Sequence, residues 1–309
     1  MRTLVLGAGV TGVTTAWALA RAGHDVTVID QADSIASGTS YANAAQLSYS
    51  FVDSLATPDF LPELPGMLLG RHIGARVGFD AEMVTWGLRF IAECRRSRSE
   101  QATVRLLELA KRSSQVLETL LDDVPLDFDY RDAGKTVLLP DIESVRLAEK
   151  QVELKRQYGS DVDILDRSRA LAIEPTLADM NEPFEGVIYS ASDTVGDARA
   201  FSAALAGHLQ ANQGVTFRME TGVDEFLLDG LRVAGVIAGE ESIAADAVIV
   251  CLGTGSRRLA GTLGIHLPII PVRGYSVTLP LGLKPCLLYT SDAADDSKRG
   301  GWGVGGGGG

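Results

Sequence analysis

The first thirty residues predict a strand, a helix and a second strand. Thr3 to Leu6 is a short apolar run, long enough for a buried strand. Apolar residues then recur at helical spacing over residues 10–22, and Gly23 ends that pattern. The stretch HDVTVID at 24–30 alternates between apolar and polar positions, which predicts a strand that closes at Asp30. This order is typical of a parallel β–α–β unit.

The turn between the first strand and the helix carries a phosphate-binding pattern. Gly7, Gly9 and Gly12 have the spacing G-x-G-x-x-G, which allows a tight turn, close approach of a pyrophosphate and close packing of the helix. The amide groups and the dipole at the start of the helix favour an anion. Asp30 lies where a carboxylate accepts hydrogen bonds from a ribose, and its charge disfavours the 2′-phosphate of NADP.

The sequence pattern in the middle of the chain predicts a second, partly helical region. Apolar spacing predicts amphipathic helices over 81–100 and 101–121. The stretch DFDYRDAGKTVLLPD at 127–141 predicts two strands joined at Ala133-Gly134, and the charged stretch that follows predicts a solvated helix that ends at Gly159.

The pattern after residue 195 predicts one long helix followed by several strands. Asp197 is a predicted N-cap and Gly214 a predicted stop of that helix. The turn residues Asp229-Gly230 predict a hairpin within a three-stranded meander over 215–245, which leads into a buried strand from Ala247 to Leu252. A crossover helix, a meander and a buried strand are typical of flavoproteins with a split dinucleotide domain, whereas plain NAD dehydrogenases continue as βα repeats.

Composition narrows the class of protein further. The 309 residues are 46% hydrophobic and carry a formal net charge of −12, which disfavours DNA or RNA as a partner. Cys94, Cys251 and Cys286 lack metal-ligand spacing, so we expect free thiols, a reducing compartment and no metal. No apolar run reaches the ~18 residues of a membrane-spanning helix, and the glycine motif argues against a signal peptide. We therefore expect a cytoplasmic protein.

Five further stretches carry a resemblance to a known family. These are TSYANAAQLS (39–48), EPTL (174–177), GDARAF (196–201), DAVIVCLGTGS (246–256) and PVRGYSVTLP (271–280). In this order and spacing, over roughly residues 1–286, the chain resembles the D-amino acid oxidase superfamily of FAD-dependent amine oxidoreductases. ANAAQLS and RGYSVTLP favour its bacterial D-amino acid dehydrogenase branch.

The resemblance implies FAD as cofactor and a set of residues that bind it. That set is Gly7, Ala8, Gly9, Val10, Thr11, Gly12, Asp30, Gln31, Ser40, Asn43, Ala44, Gln46, Val223 and Gly253. Val223 lies where members of the family hold the adenine through their backbone. Ala45 departs from the family, which usually has glycine there; its methyl group is tolerable at negative φ and costly otherwise.

Two residues are candidates for contact with the substrate. Arg273 could pair with a substrate carboxylate, or lie in solvent at a sheet edge. Tyr275 could face the flavin, or serve only in packing. No other catalytic residue is identified.

The resemblance implies oxidative deamination of D-amino acids to 2-oxo acids and ammonia, by hydride transfer to flavin N5. The electrons would pass to a quinone or another acceptor. Alternatives are a related enzyme acting on glycine, sarcosine, D-hydroxyproline or opines, or a non-catalytic FAD-binding subunit. Peripheral attachment to the inner membrane stays open.

The expected fold class is α/β, with a split FAD-binding domain of Rossmann type and an α+β substrate domain that has a mixed sheet. The expected parts are 1–50 and 191–268 for the FAD-binding domain, 51–190 and 269–286 for the substrate domain with its helical insertion, and 287–309 for a non-native or disordered tail. Family members continue where this tail begins, so we expect this chain as written to bind FAD weakly and to turn over poorly.

Overall fold

The computed structural model describes residues 1–68, 81–180, 183–272 and 303–304. They fall into two compact units. The first contains Met1–Asn43, Leu121–Asp129 and the described residues of Asp197–Arg273. The second contains Ala44–Leu120, Tyr130–Gly196 and the pair 303–304, within the described ranges. The domain boundaries expected from the sequence stay a prediction.

The helices and strands alternate along much of the chain. The strands are β1 (Arg2–Leu6), β2 (Asp25–Ile29), β3 (Gln46–Leu47), β4 (Lys135–Leu139), β5 (Val162–Asp166), β6 (Gly186–Ser190), β7 (Thr194–Val195), β8 (Thr216–Arg218), β9 (Glu225–Asp229), β10 (Arg232–Ala238), β11 (Glu241–Ala244), β12 (Ala247–Val250) and β13 (Gly303–Val304). The helices are α1 (Val10–Arg21), α2 (Leu64–Leu68), α3 (Ala81–Glu93), α4 (Arg96–Asp123), α5 (Ile142–Gln157), α6 (Arg167–Ile173), α7 (Ala198–Asn212) and α8 (Ser256–Gly261).

The first unit contains a parallel sheet with the strand order β12-β1-β2-β8. The crossover helix α7 begins at the predicted N-cap Asp197, whose carboxylate accepts from the backbone amides of Arg199 and Ala200. The predicted three-stranded antiparallel meander is confirmed as β9-β10-β11, but it begins at Glu225 and not near 215, because β8 joins the parallel sheet through β2. An apolar cluster that includes Leu4 and Val236 joins residues of the sheet and the meander.

The expected buried strand at 247–252 is wrong in two respects. It is shorter, at Ala247–Val250, and its four residues are half-buried. Among the described strands, β12 pairs only with β1 and so forms an edge of the sheet, which explains the remaining exposure.

The second unit contains an antiparallel sheet with the order β13-β4-β6-β5. The predicted pair of strands in 127–141 is wrong, because only β4 forms there. Asp129 has a φ of +56°, which an extended strand cannot contain, and Arg131 makes only an isolated bridge with Val195. Gly303–Val304 are the only described residues of the predicted tail, whose character stays a prediction.

The helical segment of this unit divides at a different place from the one expected. The predicted helix over 81–100 ends at Glu93, and the next helix begins at Arg96. The Cys94 amide donates to the carbonyls of both Phe90 and Ile91, a shared hydrogen bond common at helix ends. The Arg95 carbonyl then accepts the first bonds of α4.

Helix α5 corrects the expectation of a solvated helix. Ala148 and Val152 are buried in an apolar cluster with residues of β4, β5 and β6, and Lys155 is also buried. One face of the helix therefore packs on the sheet. No helix in the described ranges is long and apolar enough to cross a bilayer.

Candidate functional site

The glycine turn of the first unit is packed too closely for any side chain at two of its positions. A Cβ on Gly12 would lie 1.7 Å from the Gly7 carbonyl oxygen, and one on Gly7 would lie 2.5 Å from the Cys251 carbonyl oxygen. Gly7 also has a φ of +105°, which disfavours other residues. Glycine at these positions therefore lets the start of α1 approach the carboxyl ends of β1 and β12.

Free amide groups line the start of α1. The Val10 amide donates to Ser40 Oγ at 3.0 Å. Within the described part of the chain, the amides of Gly9, Thr11 and Gly12 make no hydrogen bond. An α-helix leaves its first N–H groups without intrahelical partners, and together with the helix dipole they favour an anion. The turn can therefore bind a phosphate or pyrophosphate through its backbone.

Asp30 lies directly beside this turn, at the end of β2. Its carboxylate accepts from the Ala8 amide at 2.6 Å and from the Ala32 amide at 2.9 Å, one on each oxygen. An ionised carboxylate offers about four acceptor positions, so each oxygen retains capacity for a ligand hydroxyl. The backbone thus fixes an acceptor next to the phosphate-binding amides.

The segment between β8 and β9 is hydrogen-bonded to the chain that follows Asp30. The Thr221 amide donates to the Asp30 carbonyl at 2.8 Å, and a Cβ on Gly222 would lie 3.9 Å from the Gln31 Cβ, an ordinary van der Waals distance. Val223 follows, with its side chain in the apolar cluster of this unit. Among the described residues nothing accepts from its amide, whereas its carbonyl accepts from Arg258 Nη2 at 2.6 Å. An N–H donor is therefore available next to the Asp30 region.

Gly253 follows β12 at the same edge of the sheet. The Cys251 amide continues the pairing by donating to the Leu6 carbonyl at 2.7 Å. Gly253 is exposed with a φ of +55°, and a Cβ there would meet no atom within 4 Å. The requirement for glycine is thus conformational, and open space lies beside the backbone.

The loop expected to run beside the flavin divides between the two units. In the first unit, Ser40 is buried against the glycine turn, and Asn43 is exposed. In the second unit, Ala44 is exposed, and Gln46 pairs with Val195 in the short sheet of β3 and β7. Ala45 has a φ of +53°, a left-handed conformation in which its methyl group is sterically unfavourable.

Charged groups are buried in the second unit around the ring of Phe51. Lys135 Nζ lies 4.4 Å and Lys155 Nζ 4.2 Å from the centre of that ring. Lys155 is 2% exposed and donates to Asp53 at 2.6 Å. Asp193, 1% exposed, accepts from the backbone amides of Tyr49, Ser50 and Phe51. We refer to Phe51, Asp53, Lys135, Lys155 and Asp193 as the Phe51 cluster.

Burial changes the titration of two groups in and beside this cluster. Loss of water raises the pKa of the Asp193 carboxyl, and its three amide contacts and the charge of Lys135 lower it in part. Burial raises the pKa of the Tyr49 hydroxyl to about 12. Both groups therefore favour their neutral forms more than they would in water.

The structure brings together all the predicted cofactor residues of the glycine turn with Asp30, Gln31, Ser40, Val223 and Gly253 in the first unit. Ala44 and Gln46 belong to the second unit, and Arg273 and Tyr275 lie outside the described residues. Sequence reasoning missed the contact of Arg258 with Val223, because no local pattern links residues 35 positions apart. In the described ranges, no cluster of His, Cys, Asp or Glu could hold a metal ion.

Comparison with known sequences places this geometry in a family. The family model of the DAO family, described as FAD dependent oxidoreductase, matches residues 2–303. D-amino acid dehydrogenase 2 of Ralstonia nicotianae is 38% identical over 285 residues, which cover 91% of this chain and 67% of that protein. D-amino acid dehydrogenase of Dechloromonas aromatica is 36% identical over 307 residues, with 97% of this chain and 73% of the relative covered.

Solved structures show the same fold at lower sequence identity. Glycine oxidase from Geobacillus kaustophilus matches with a TM-score of 0.62 at 21% identity, over 86% of this chain and 59% of that one. L-proline dehydrogenase from P. horikoshii matches with a TM-score of 0.61 at 18% identity, over 85% of this chain and 56% of that one. The chain thus spans less than two thirds of the length of these structures.

The chemistry of the first unit fits FAD. Free amides at a helix start suit its pyrophosphate, a backbone-anchored carboxylate suits a ribose, and an unpaired backbone amide beside it suits an adenine edge. The match of residues 2–303 agrees with that donor set. The chain therefore belongs to the DAO family of FAD dependent oxidoreductases.

Proposed function

We propose that this chain acts as an FAD-dependent dehydrogenase that oxidatively deaminates D-amino acids. The observation that carries the proposal is the set of free amides of Gly9, Thr11 and Gly12 beside the anchored carboxylate of Asp30. The identity of 38% to a relative with that name supports the choice of substrate class.

Each end of the cofactor has its own group of residues in this proposal. The residues of the glycine turn bind the pyrophosphate, Asp30 accepts from the adenosine ribose, and Gln31 and Val223 border the adenine. Ser40, Asn43 and Gly253 of the first unit are assigned to the flavin side, and Ala44 and Gln46 keep that assignment only as an expectation from the sequence. Because Ser40 Oγ accepts from Val10, it also fixes the start of α1 and the loop against each other.

The substrate is a D-amino acid, whose carboxylate we assign to Arg273 and whose position we assign in part to Tyr275. When bound, FAD supplies the oxidation by accepting a hydride equivalent from the substrate Cα. The protein supplies binding and orientation, and a planar guanidinium can hold a carboxylate through two parallel hydrogen bonds. Hydrolysis of the imino acid product gives a 2-oxo acid and ammonia, and a quinone or another acceptor receives the electrons.

The proposal is tested by anaerobic reduction of FAD on the purified chain. With FAD in excess, we expect D-alanine to bleach the visible flavin absorption slowly and L-alanine to leave it unchanged. Glycine or sarcosine as the only effective reductant would change the substrate class. FAD that binds but is not reduced by any D-amino acid would contradict the proposal and support a non-catalytic FAD-binding role.

A further inference from the structure

One arginine holds the two carbonyls at the end of the segment that borders the expected adenine position. Arg258 lies on α8, and its guanidinium donates to the Val223 carbonyl at 2.6 Å and to the Asp224 carbonyl at 3.2 Å. The planar fork of arginine can serve two acceptors at once, which a lysine cannot do with the same geometry. The contact therefore fixes the orientation of two consecutive peptide groups.

The rest of the segment is fixed from other directions. The side chain of Val223 packs in the apolar cluster with Leu259, the residue after Arg258. The Asp224 carboxylate accepts from the Gly239 amide at 2.8 Å, and its own amide donates to the Ile237 carbonyl at 2.9 Å. The side chain of Val223 and the carboxylate and amide of Asp224 are thus fixed by the cluster and the meander. Arg258 fixes the carbonyl groups of both residues.

The Val223 peptide retains the groups that an adenine edge needs. Its amide makes no hydrogen bond within the described ranges, and its carbonyl oxygen has a second lone pair besides the one that faces Arg258. A donor and an acceptor on one residue match the alternating acceptor and donor on the edge of an adenine ring. Their directions depend on the peptide orientation that Arg258 fixes.

We propose that Arg258 is a positioning residue for the adenine end of FAD, acting through the backbone of Val223. This inference rests on the proposed function, because that function places the adenine at Val223. A hydrogen bond to a charged donor is stronger than one between neutral groups, so the loss of Arg258 removes the contact that orients the Val223 and Asp224 carbonyls. The cost then falls on the nucleotide half of the cofactor.

The test compares cofactors that have and lack adenine. We would titrate the unsubstituted chain, Arg258→Met and Arg258→Lys with FAD, FMN and ADP, and follow flavin fluorescence and calorimetric heat. Arg258→Met should weaken FAD and ADP about tenfold, the effect of one lost charge-assisted hydrogen bond, and leave FMN unchanged. Arg258→Lys should restore part of the loss, because an ammonium can still donate to one carbonyl.

Arg232→Met is the matched control, since Arg232 begins β10 in the same unit and is exposed. It should leave all three affinities and the urea midpoint unchanged. Equal affinities of Arg258→Met and the unsubstituted chain for FAD, or an equal fall for FAD and FMN, would overturn the positioning role alone. If the unsubstituted chain bound neither FAD nor ADP, the proposed function would fail, and this inference with it.

Discussion

The two units bury different kinds of side chain. In the first unit, the buried residues that the structure describes, such as Leu4 and Ile29, are uncharged, and the Asp30 carboxylate lies at the carboxyl edge of the sheet. In the second unit, Lys135, Lys155 and Asp193 are all buried, and these are the charged residues among the buried ones that the structure describes.

This difference indicates which substitutions should destabilise each unit. Burial of apolar side chains is favourable without a specific hydrogen-bond partner. We therefore expect the stability of the first unit to depend most on the close packing that its glycines allow. A buried charge is costly unless it is paired, so the second unit depends on the completeness of the Phe51 cluster. Four substitutions separate these cases, from the largest expected effect to the smallest.

The largest effect is expected from Gly12→Ala in the first unit. The new methyl group would collide with the Gly7 carbonyl oxygen, a backbone atom that cannot turn aside. We expect a loss of about 3–5 kcal/mol in the free energy of unfolding, and loss of FAD binding. Urea unfolding followed by circular dichroism, with an FAD titration, checks both.

Gly207→Ala is the control for that substitution. Gly207 lies within α7, is exposed, and its Cβ would meet nothing within 4 Å. Alanine should therefore stabilise the helix by about 0.5–1 kcal/mol. A similar loss from both substitutions would show that close packing at Gly12 is not the cause.

The next effect is expected from Lys155→Met in the second unit. Methionine keeps the apolar stem but removes the partner of Asp53, whose side chain is 35% exposed. Because Asp53 keeps some contact with water, we expect a loss of about 2–3 kcal/mol, below the usual range for a buried pair. Urea unfolding of the two proteins gives the difference directly.

A double-substitution cycle sharpens this result. Adding Asp53→Asn to Lys155→Met should cost less than the sum of the two single changes, since the unpaired charge is then gone. Lys150→Met, at an exposed position of the same helix, should change stability by less than about 0.5 kcal/mol. Strict additivity would mean that the pair does not contribute as a unit.

A smaller effect, which depends on pH, is expected from Asp193→Asn. An asparagine can accept only through one atom, so its NH₂ group would face a backbone amide; a buried unpaired donor costs about 1–3 kcal/mol. Because burial raises the pKa of Asp193 above its ordinary 3.8, the folded state binds the proton more tightly than the unfolded state.

The Asp193 carboxyl therefore stabilises the fold most below its unfolded pKa, and this contribution is lost as the pH rises through the folded pKa. The stability difference between the unsubstituted chain and Asp193→Asn should shrink as the pH rises from about 4 to 8. Urea unfolding at a series of pH values measures it. A difference that grows with pH would contradict the assigned direction.

The smallest effect is expected from Ala45→Gly, and it has the opposite sign. The φ of +53° at Ala45 costs a residue with a side chain about 1 kcal/mol or more, part of which glycine loses again through its freer unfolded chain. We expect a gain of about 0.5 kcal/mol in thermal or urea unfolding. Ala44→Gly, next to it and not at positive φ, should instead destabilise.

The contrast between the units also explains what the sequence could predict. The glycine turn, α1, the N-cap Asp197 and the meander follow from local signals, namely glycine spacing, apolar period and turn residues. The burial of Lys155 could not be predicted, because a lysine on a charged helix gives the same sequence pattern whether it faces water or a carboxylate inside the protein.

Other features depend on contacts between distant residues. The positive φ of Ala45 is set by its loop, in which the Ala45 carbonyl accepts from the Gly196 amide at 2.8 Å. Arg258 reaches Val223 only after the meander has folded between them. Neither feature leaves a period or a motif in the sequence.

Equilibrium dialysis of the purified chain against FAD and NAD tests the central claim most directly, since that claim is an FAD site at the carboxyl edge of the first unit's sheet. We expect saturable retention of one FAD per chain, even if it requires a high FAD concentration, loss of that retention in Gly12→Ala, and no retention of NAD. Retention of NAD in place of FAD, or FAD retention that Gly12→Ala leaves intact, would contradict the account.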